Sequence, residues 1–218
     1  MDEHTRRDID AKVHPMQSAA RRIRVPLGFV TAGVFLFEIA RRPPHPAAIA
    51  WSLALVLPGL LLRAAAAGTV KKNRELAMTG PYAHTRNPLY LGSMLMAAGF
   101  ALALHSWPMA LALGAGFAAI YIPVIAAEER VLRAAFPGFD VYCCRVPRFI
   151  PRLTPARLDR ADEAPPVSQA GSLDSASGFS FALYRKHREY NAAIGAALLY
   201  LSLLFLEPVL GHILHRPR

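Results

Sequence analysis

Five runs of apolar residues, at 25–40, 47–68, 89–105, 107–127 and 191–214, leave this chain few ways to fold. A helix that crosses a bilayer needs roughly 20 mainly apolar residues, with ~17 as a short limit, and the five runs approach or meet that length. In lipid a helix also satisfies its own backbone, which an open strand does not. The expected fold is therefore all-α: a polytopic transmembrane bundle of about five spans with short cytoplasmic segments. Residues 25–40 form the marginal span. The third and fourth runs are joined by a turn so tight, at His105, Ser106, Trp107 and Pro108, that they must make an antiparallel hairpin. Pro58 and Pro123 fall inside spans, where neighbouring helices can take up the freed carbonyls. A hydrophobic content of 54% in 218 residues and a mean hydropathy of +0.27 suit one membrane domain better than an ordinary soluble one.

Lysines and arginines set the orientation, because positive loops are retained in the cytoplasm. With the N-terminus inside, 20 of the 25 lie on that side, four face outward, and Arg63 sits within the second span. A net charge of +10 would suit nucleic acid, but the basic residues lie between apolar runs and follow no single helix face, so a membrane surface fits them better. No nucleic-acid partner is expected. The only cysteines, Cys143 and Cys144, are adjacent, which excludes a disulfide framework and a CxxC-type metal site within the chain. Residues 1–24 are polar and basic and read as a cytoplasmic lead-in, not as a cleaved signal peptide. Residues 25–152 then form a four-span core. Residues 153–189, rich in Pro, Ser, Ala and acidic residues over 154–178, read as a flexible linker, and 190–218 hold an added C-terminal span.

Two polar stretches carry the chemistry, and this orientation puts both in the cytoplasm. The first runs from Thr79 through Gly80-Pro81-Tyr82 and Arg86-Asn87-Pro88-Leu89-Tyr90-Leu91-Gly92 into the third span. Gly80-Pro81 is a turn, and Pro88 suits the first position of a helix, where its missing N–H matters little. A helix N-terminus facing water can seat a carboxylate or phosphate, and Arg86 beside it can grip such a group bidentately. Tyr82 and Tyr90 offer faces for a base or a sulfonium. An interfacial anchor would use the same residue types.

The second stretch starts where the fourth span ends, at Glu128-Glu129-Arg130, and passes Phe136, Phe139 and Tyr142 to Val146-Pro147-Arg148 and Pro151. Two adjacent carboxylates at a helix C-terminus oppose the helix dipole, so a cation must compensate them. Arg86, Arg130, Arg133 and a ligand ammonium are the candidates, and a plain salt-bridge network at a helix end is the alternative.

Taken together, in this order and with a hairpin between them, the two stretches resemble the isoprenylcysteine carboxyl methyltransferases and the related phospholipid methyltransferases. The resemblance covers about residues 76–152. It implies S-adenosylmethionine as cofactor, held at the cytoplasmic boundary, and no metal. It also implies roles. Tyr82, Arg86, Asn87, Pro88, Tyr90, Gly92, Glu128, Glu129 and Tyr142 would bind the cofactor, with Arg86, Glu129 and Arg148 as the catalytic group and Arg145 helping Tyr142 and Arg148 to close the pocket. Where the family has histidine between Arg and Pro, this chain has Asn87, which keeps a donor and an acceptor but does not titrate near neutral pH. Positioning survives that change, and a base at this position does not. Phe139 replaces the family's first tyrosine of the aromatic segment.

Methyl transfer from a sulfonium is an in-line displacement whose demands are alignment and water exclusion. A carboxylate acceptor needs no base, whereas an amine must first lose a proton, with Glu129 the expected base. Arg86 or Arg148 would orient an anionic acceptor, with Tyr90 and Tyr142 flanking the methyl group. The acceptor would be lipid-like, hydrophobic or prenylated, its tail passing between spans near Leu95, Met96 and Phe100 unless these only pack against neighbouring helices. Two alternatives stay open: an NADPH-dependent reductase of the sterol reductase type, and a membrane adaptor without catalysis. Abundant Ala and Arg point to a prokaryotic plasma membrane.

Overall fold

A computed structural model describes residues 30, 33–39, 41, 45–69, 76–156 and 179–214, with side chains as far as Phe205. Among the described residues every regular element is a helix: α1 (Pro46–Thr69), a 3-10 turn (Gly80–Ala83), α2 (Pro88–Ala103), α3 (Trp107–Ala135), α4 (Phe139–Arg145), α5 (Phe181–Lys186) and α6 (Tyr190–Leu214). Two of them, α1 with 24 residues and α3 with 29, are long and apolar enough to cross a membrane. At 1.5 Å per residue α3 runs about 43 Å, longer than a hydrocarbon core of about 30 Å. Shorter apolar helices are α2 and the Tyr190–Phe205 part of α6. Half of the expected first span, the lead-in 1–24 and the loop lysines Lys71 and Lys72 lie outside the described residues.

Local chemistry explains the hairpin. Asn87 caps α2 and Pro88 follows at its first position. At the other end Leu104 closes the helix and His105 turns the chain with φ 47°, after which the Ser106 hydroxyl accepts from the Met109 N–H and starts α3. Pro58 and Pro123 lie within α1 and α3, as expected.

The closest helix pair is α1 with α2, and glycines permit it. A Cβ on Gly92 would sit 2.7 Å from the Gly59 carbonyl oxygen, and one on Gly99 would sit 2.9 Å from the Ser52 carbonyl oxygen. Small residues are how helices approach in lipid, where apolar burial by itself drives little association. Above this contact a core of Val56, Phe100, Ala103, Leu104 and Met109 is joined by Phe35 and Ile39 from the helical residues 33–39. Ala196 and Leu203 of α6 enter the same core, so the C-terminal helix does not stand apart. Outward, Trp51, Leu61, Leu111 and Ile122 remain exposed, the apolar surface a lipid-facing helix presents.

A second, smaller core lies beyond the C-terminal end of α3. Phe139, Tyr142 and Val146 are buried there against Leu76, Met78, Leu132 and Phe136. Of the expected linker, residues 157–178 lie outside the described set, and both of its ends are fastened. The Ala156 N–H donates to the Ala83 carbonyl at 2.9 Å, and Ser180 caps α5 while its own N–H donates to the Gly68 carbonyl at 2.9 Å.

Candidate active site

The two polar stretches meet. The Arg86 N–H donates to the Pro147 carbonyl and the Arg152 N–H to the His84 carbonyl, each at 2.9 Å. Between them the Thr85 hydroxyl and the Asn87 amide both donate to the Arg148 carbonyl, at 3.1 and 3.0 Å. Residues 83–87 and 147–156 are thus zipped side by side at the start of α2. Asn87 is buried and spends its amide on this zipper. His84 is likewise occupied, its Nδ1 lying 2.7 Å from the Arg152 carbonyl.

The zipper brings Arg86 and Arg148 to Glu129. Arg86 Nη1 lies 3.3 Å from Glu129 Oε1, Arg148 Nε donates to the same oxygen at 3.0 Å, and Arg148 Nη2 closes on Oε2. Glu129 is buried, so two guanidinium groups on one carboxylate are what makes its charge tolerable. The cations that answer Glu129 are therefore Arg86 and Arg148, while Arg133 pairs with Asp140 at 2.7 Å on the exposed side. Arg86 also reaches Cys143 Sγ at 2.6 Å, and its Nε is buried without a partner among the described residues.

Glu128 points elsewhere. It is exposed and accepts the Tyr90 hydroxyl at 2.8 Å. Tyr90 packs on Tyr121 at 4.8 Å, and Tyr121 stacks on Phe117 at 4.4 Å, giving an aromatic row that climbs α3 away from the carboxylate. Tyr82 stands nearby on the 3-10 turn, whose entry Gly80 allows with φ 60°. Burial, followed by the charges of Glu128 and Glu189, pushes the Tyr82 hydroxyl up, so it stays neutral. Tyr142, expected to close the pocket beside the methyl group, is buried in the small core and donates its hydroxyl to the Tyr82 carbonyl at 2.8 Å. It holds the turn that carries Tyr82. Arg145 is exposed, and its carbonyl accepts from Arg152 Nη1 at 2.5 Å.

Two expected cofactor residues face the protein interior. Gly92 is turned to α1, where its missing side chain leaves room for the Gly59 carbonyl, and Pro88 is fully buried beneath the zipper. Phe100 belongs to the bundle core with Met96 packed on it, the helix-packing alternative expected for these residues. A groove of about 160 Å³ lies between α2 and α3 among Met94, Ala97, Ala101, Leu113, Gly114 and Phe117.

Sequence reasoning missed Ser93, Tyr121 and Glu189. Arg63 was visible only as a lone charge inside an apolar run, a pattern that marks a paired or functional side chain. In the structure Arg63 donates to Glu189 and to Ser93. Tyr121, seven residues before Glu128, falls on the same helix face, two turns away.

Comparison with known proteins bears on the same segment. Residues 60–138 match the family model described as phospholipid methyltransferase. A nickel-cobalt-cadmium resistance protein of Alcaligenes xylosoxydans xylosoxydans is 39% identical over 84 residues, 38% of this chain and 39% of that protein. A cobalt-zinc-cadmium resistance protein of Cupriavidus metallidurans gives the same identity and coverage. The chain thus aligns with about two-fifths of the length of these relatives. No solved structure matches. The matched segment holds Arg63, the first polar stretch, the whole hairpin and the Glu128-Glu129 pair, but not Tyr142, Arg148 or α6. Over residues 60–138, then, the kinship with the integral membrane methyltransferases of the phospholipid methyltransferase family is shown.

Proposed function

We propose that the protein is an integral membrane methyltransferase that draws its methyl group from S-adenosylmethionine and passes it to a lipid-like acceptor at the cytoplasmic face. In this reading the bundle has about five spans with the N-terminus inside, residues 25–152 form the catalytic core, and the membrane is a bacterial plasma membrane. One observation carries it: within and beside the segment that matches the family, Glu129 clamped by Arg86 and Arg148 stands next to Glu128 bearing Tyr90.

The side chains fit that cofactor by charge. Two guanidinium groups on a single carboxylate leave one net positive charge, and the unpartnered Arg86 Nε is a spare donor for a carboxylate. Glu128, with the rings of Tyr90 and Tyr82 close by, offers the opposite environment, suited to an ammonium or sulfonium. A zwitterionic amino-acid moiety needs both side by side. S-adenosylmethionine supplies a methyl group made electrophilic by the sulfonium charge. The protein's own task is alignment, with the α2 turn, the α3 end and the 147–156 segment locked together, and exclusion of water from the reacting atoms.

An acceptor carboxylate attacks with its own lone pair and releases no proton. An amine acceptor must first give one up, and in this reading Glu128 serves as its base in place of the expected Glu129. Glu129's oxygens are already engaged by two guanidinium groups, whereas Glu128 is exposed beside Tyr90. Arg148, half exposed, is the residue best able to swing toward an anionic acceptor. The apolar groove between α2 and α3 ends at Phe117, the outer member of the row leading through Tyr121 to Tyr90, and this favours a hydrophobic or prenylated acceptor whose tail lies in lipid.

Equilibrium binding of S-adenosylmethionine to the detergent-solubilised protein tests the reading, with NADPH and the double variant Arg86→Ala/Glu129→Ala as controls. Micromolar binding that the double variant loses is the expected result. Binding of NADPH alone would assign the protein to the reductases, and binding of neither would leave it an adaptor.

A further inference from the structure

The segment 179–214 lies outside both the family match and the two polar stretches, yet one of its side chains reaches the candidate site. Glu189, in the turn between α5 and α6, takes Arg63 Nε at 3.1 Å and Nη2 at 2.7 Å on a single oxygen. The third nitrogen of the fork, Nη1, donates to the Ser93 hydroxyl and lies 3.4 Å from the Leu89 carbonyl. Leu89 and Ser93 flank Tyr90 in the opening turns of α2, so the guanidinium spans from the C-terminal segment to the turn that aims Tyr90 at Glu128. Both charges are largely withdrawn from solvent, with 22% and 14% side-chain exposure, which makes each dependent on the other.

Around this pair the segment is seated on α1. Phe179 covers Gly68, where an added Cβ would meet its ring at 2.3 Å, and His187 Nδ1 lies 3.0 Å from the Ala67 carbonyl. A second polar link, Tyr200 to Ser52 at 2.7 Å, ties α6 to α1 eleven residues from Arg63, about 16 Å along the helix and away from the site. A plain anchor would be served by either link. Only the Arg63–Glu189 link also touches the turn bearing Tyr90, and only Glu189 acts on the Tyr82 hydroxyl together with Glu128.

We propose that Glu189, acting through Arg63, is a positioning residue for the candidate site, which makes segment 179–189 a component of that site as well as an attachment. The proposal rests on the methyltransferase reading. Its test is S-adenosylmethionine affinity and melting temperature of the full-length protein for wild type, Glu189→Gln, Glu189→Asp, Tyr200→Phe, Tyr90→Phe and the double variant Glu189→Gln/Tyr90→Phe. Glu189→Gln should weaken binding about tenfold, the size of one lost charge-assisted hydrogen bond, and Glu189→Asp should recover most of it. Tyr200→Phe should lower the melting temperature with affinity unchanged. The double variant should lose less than the product of its single losses, because both act through one turn.

Wild-type affinity in Glu189→Gln, affinity losses that follow melting temperature alike in Glu189→Gln and Tyr200→Phe, or independent losses in the double variant would each overturn the proposal while the methyltransferase reading stands. No binding by the wild type would overturn that reading, and the proposal with it.

Discussion

Glu129 takes its cations from two parts of the chain, Arg86 before α2 and Arg148 beyond α4, so one buried carboxylate locks the two polar stretches to each other. Glu129→Ala would leave both guanidinium groups without their anion. Because Arg148 is half exposed and can rehydrate, the loss of stability should be about 2–3 kcal/mol, below the full effect of breaking a buried pair. Thermal unfolding in detergent would register it, with S-adenosylmethionine binding abolished. Tyr90→Phe keeps the ring on Tyr121 and removes only the donor to Glu128. Its expected effect is a loss of affinity or turnover with a melting temperature within a few degrees of wild type. At this scale the sequence showed which residue types were gathered, since Arg86, Tyr90 and the Glu-Glu pair were all visible. It did not show their pairing, because which arginine reaches which carboxylate depends on the fold between them.

Helix contact here depends on absent side chains. Gly59→Ala would place a methyl group 2.7 Å from the Gly92 carbonyl and 2.9 Å from Met96, and since the first is backbone, α1 and α2 must part. Overpacking of this kind costs about 1–3 kcal/mol. A lowered melting temperature for Gly59→Ala and Gly92→Ala, set against no change for Gly114→Ala, where a Cβ meets nothing, would check it. The 3-10 turn and α4 are joined by the hydroxyl of Tyr142, which burial pushes up together with that of Tyr82. A folded state that holds these protons more tightly than the unfolded chain keeps its full contribution below the unfolded value of about 10 and loses it as pH rises beyond. Stability should therefore fall on alkaline titration, and less steeply in Tyr142→Phe. Apolar run length located α1, α2 and α6 to within a few residues and found the start of α3, whose end at Ala135 lies eight residues past the expected 127 because its last turns carry charged residues. The role of Gly92 was read from its motif as a ligand contact, and the facing surface of α1 shows it to be a packing position.

Across the whole molecule, the helical bundle and the small core around Phe139 are joined along α3. The C-terminal segment 179–205 is fastened to α1 by three contacts spread along it: Phe179 on Gly68, Glu189 on Arg63 and Tyr200 on Ser52. Gly68→Ala should unseat Phe179 and loosen the 179–189 segment. Faster limited proteolysis there, with cleavage elsewhere unchanged, is the expected readout.

Helical class, the hairpin and the proposed membrane residence were determined by the sequence alone, because apolar run length, proline position and a short turn are local properties that no partner can reverse. The family kinship was equally local, being a matter of ordered short motifs on either side of one hairpin. Only the tertiary structure decided that Glu129 is clamped from both sides and that Glu128 faces Tyr90. It also decided that Gly92 packs against α1 and that Glu189, outside the motifs, is linked through Arg63 to Ser93 of α2. Each of these is a contact between residues 19 to 126 positions apart, and such contacts follow from how helices pack against one another, which no single stretch of sequence encodes.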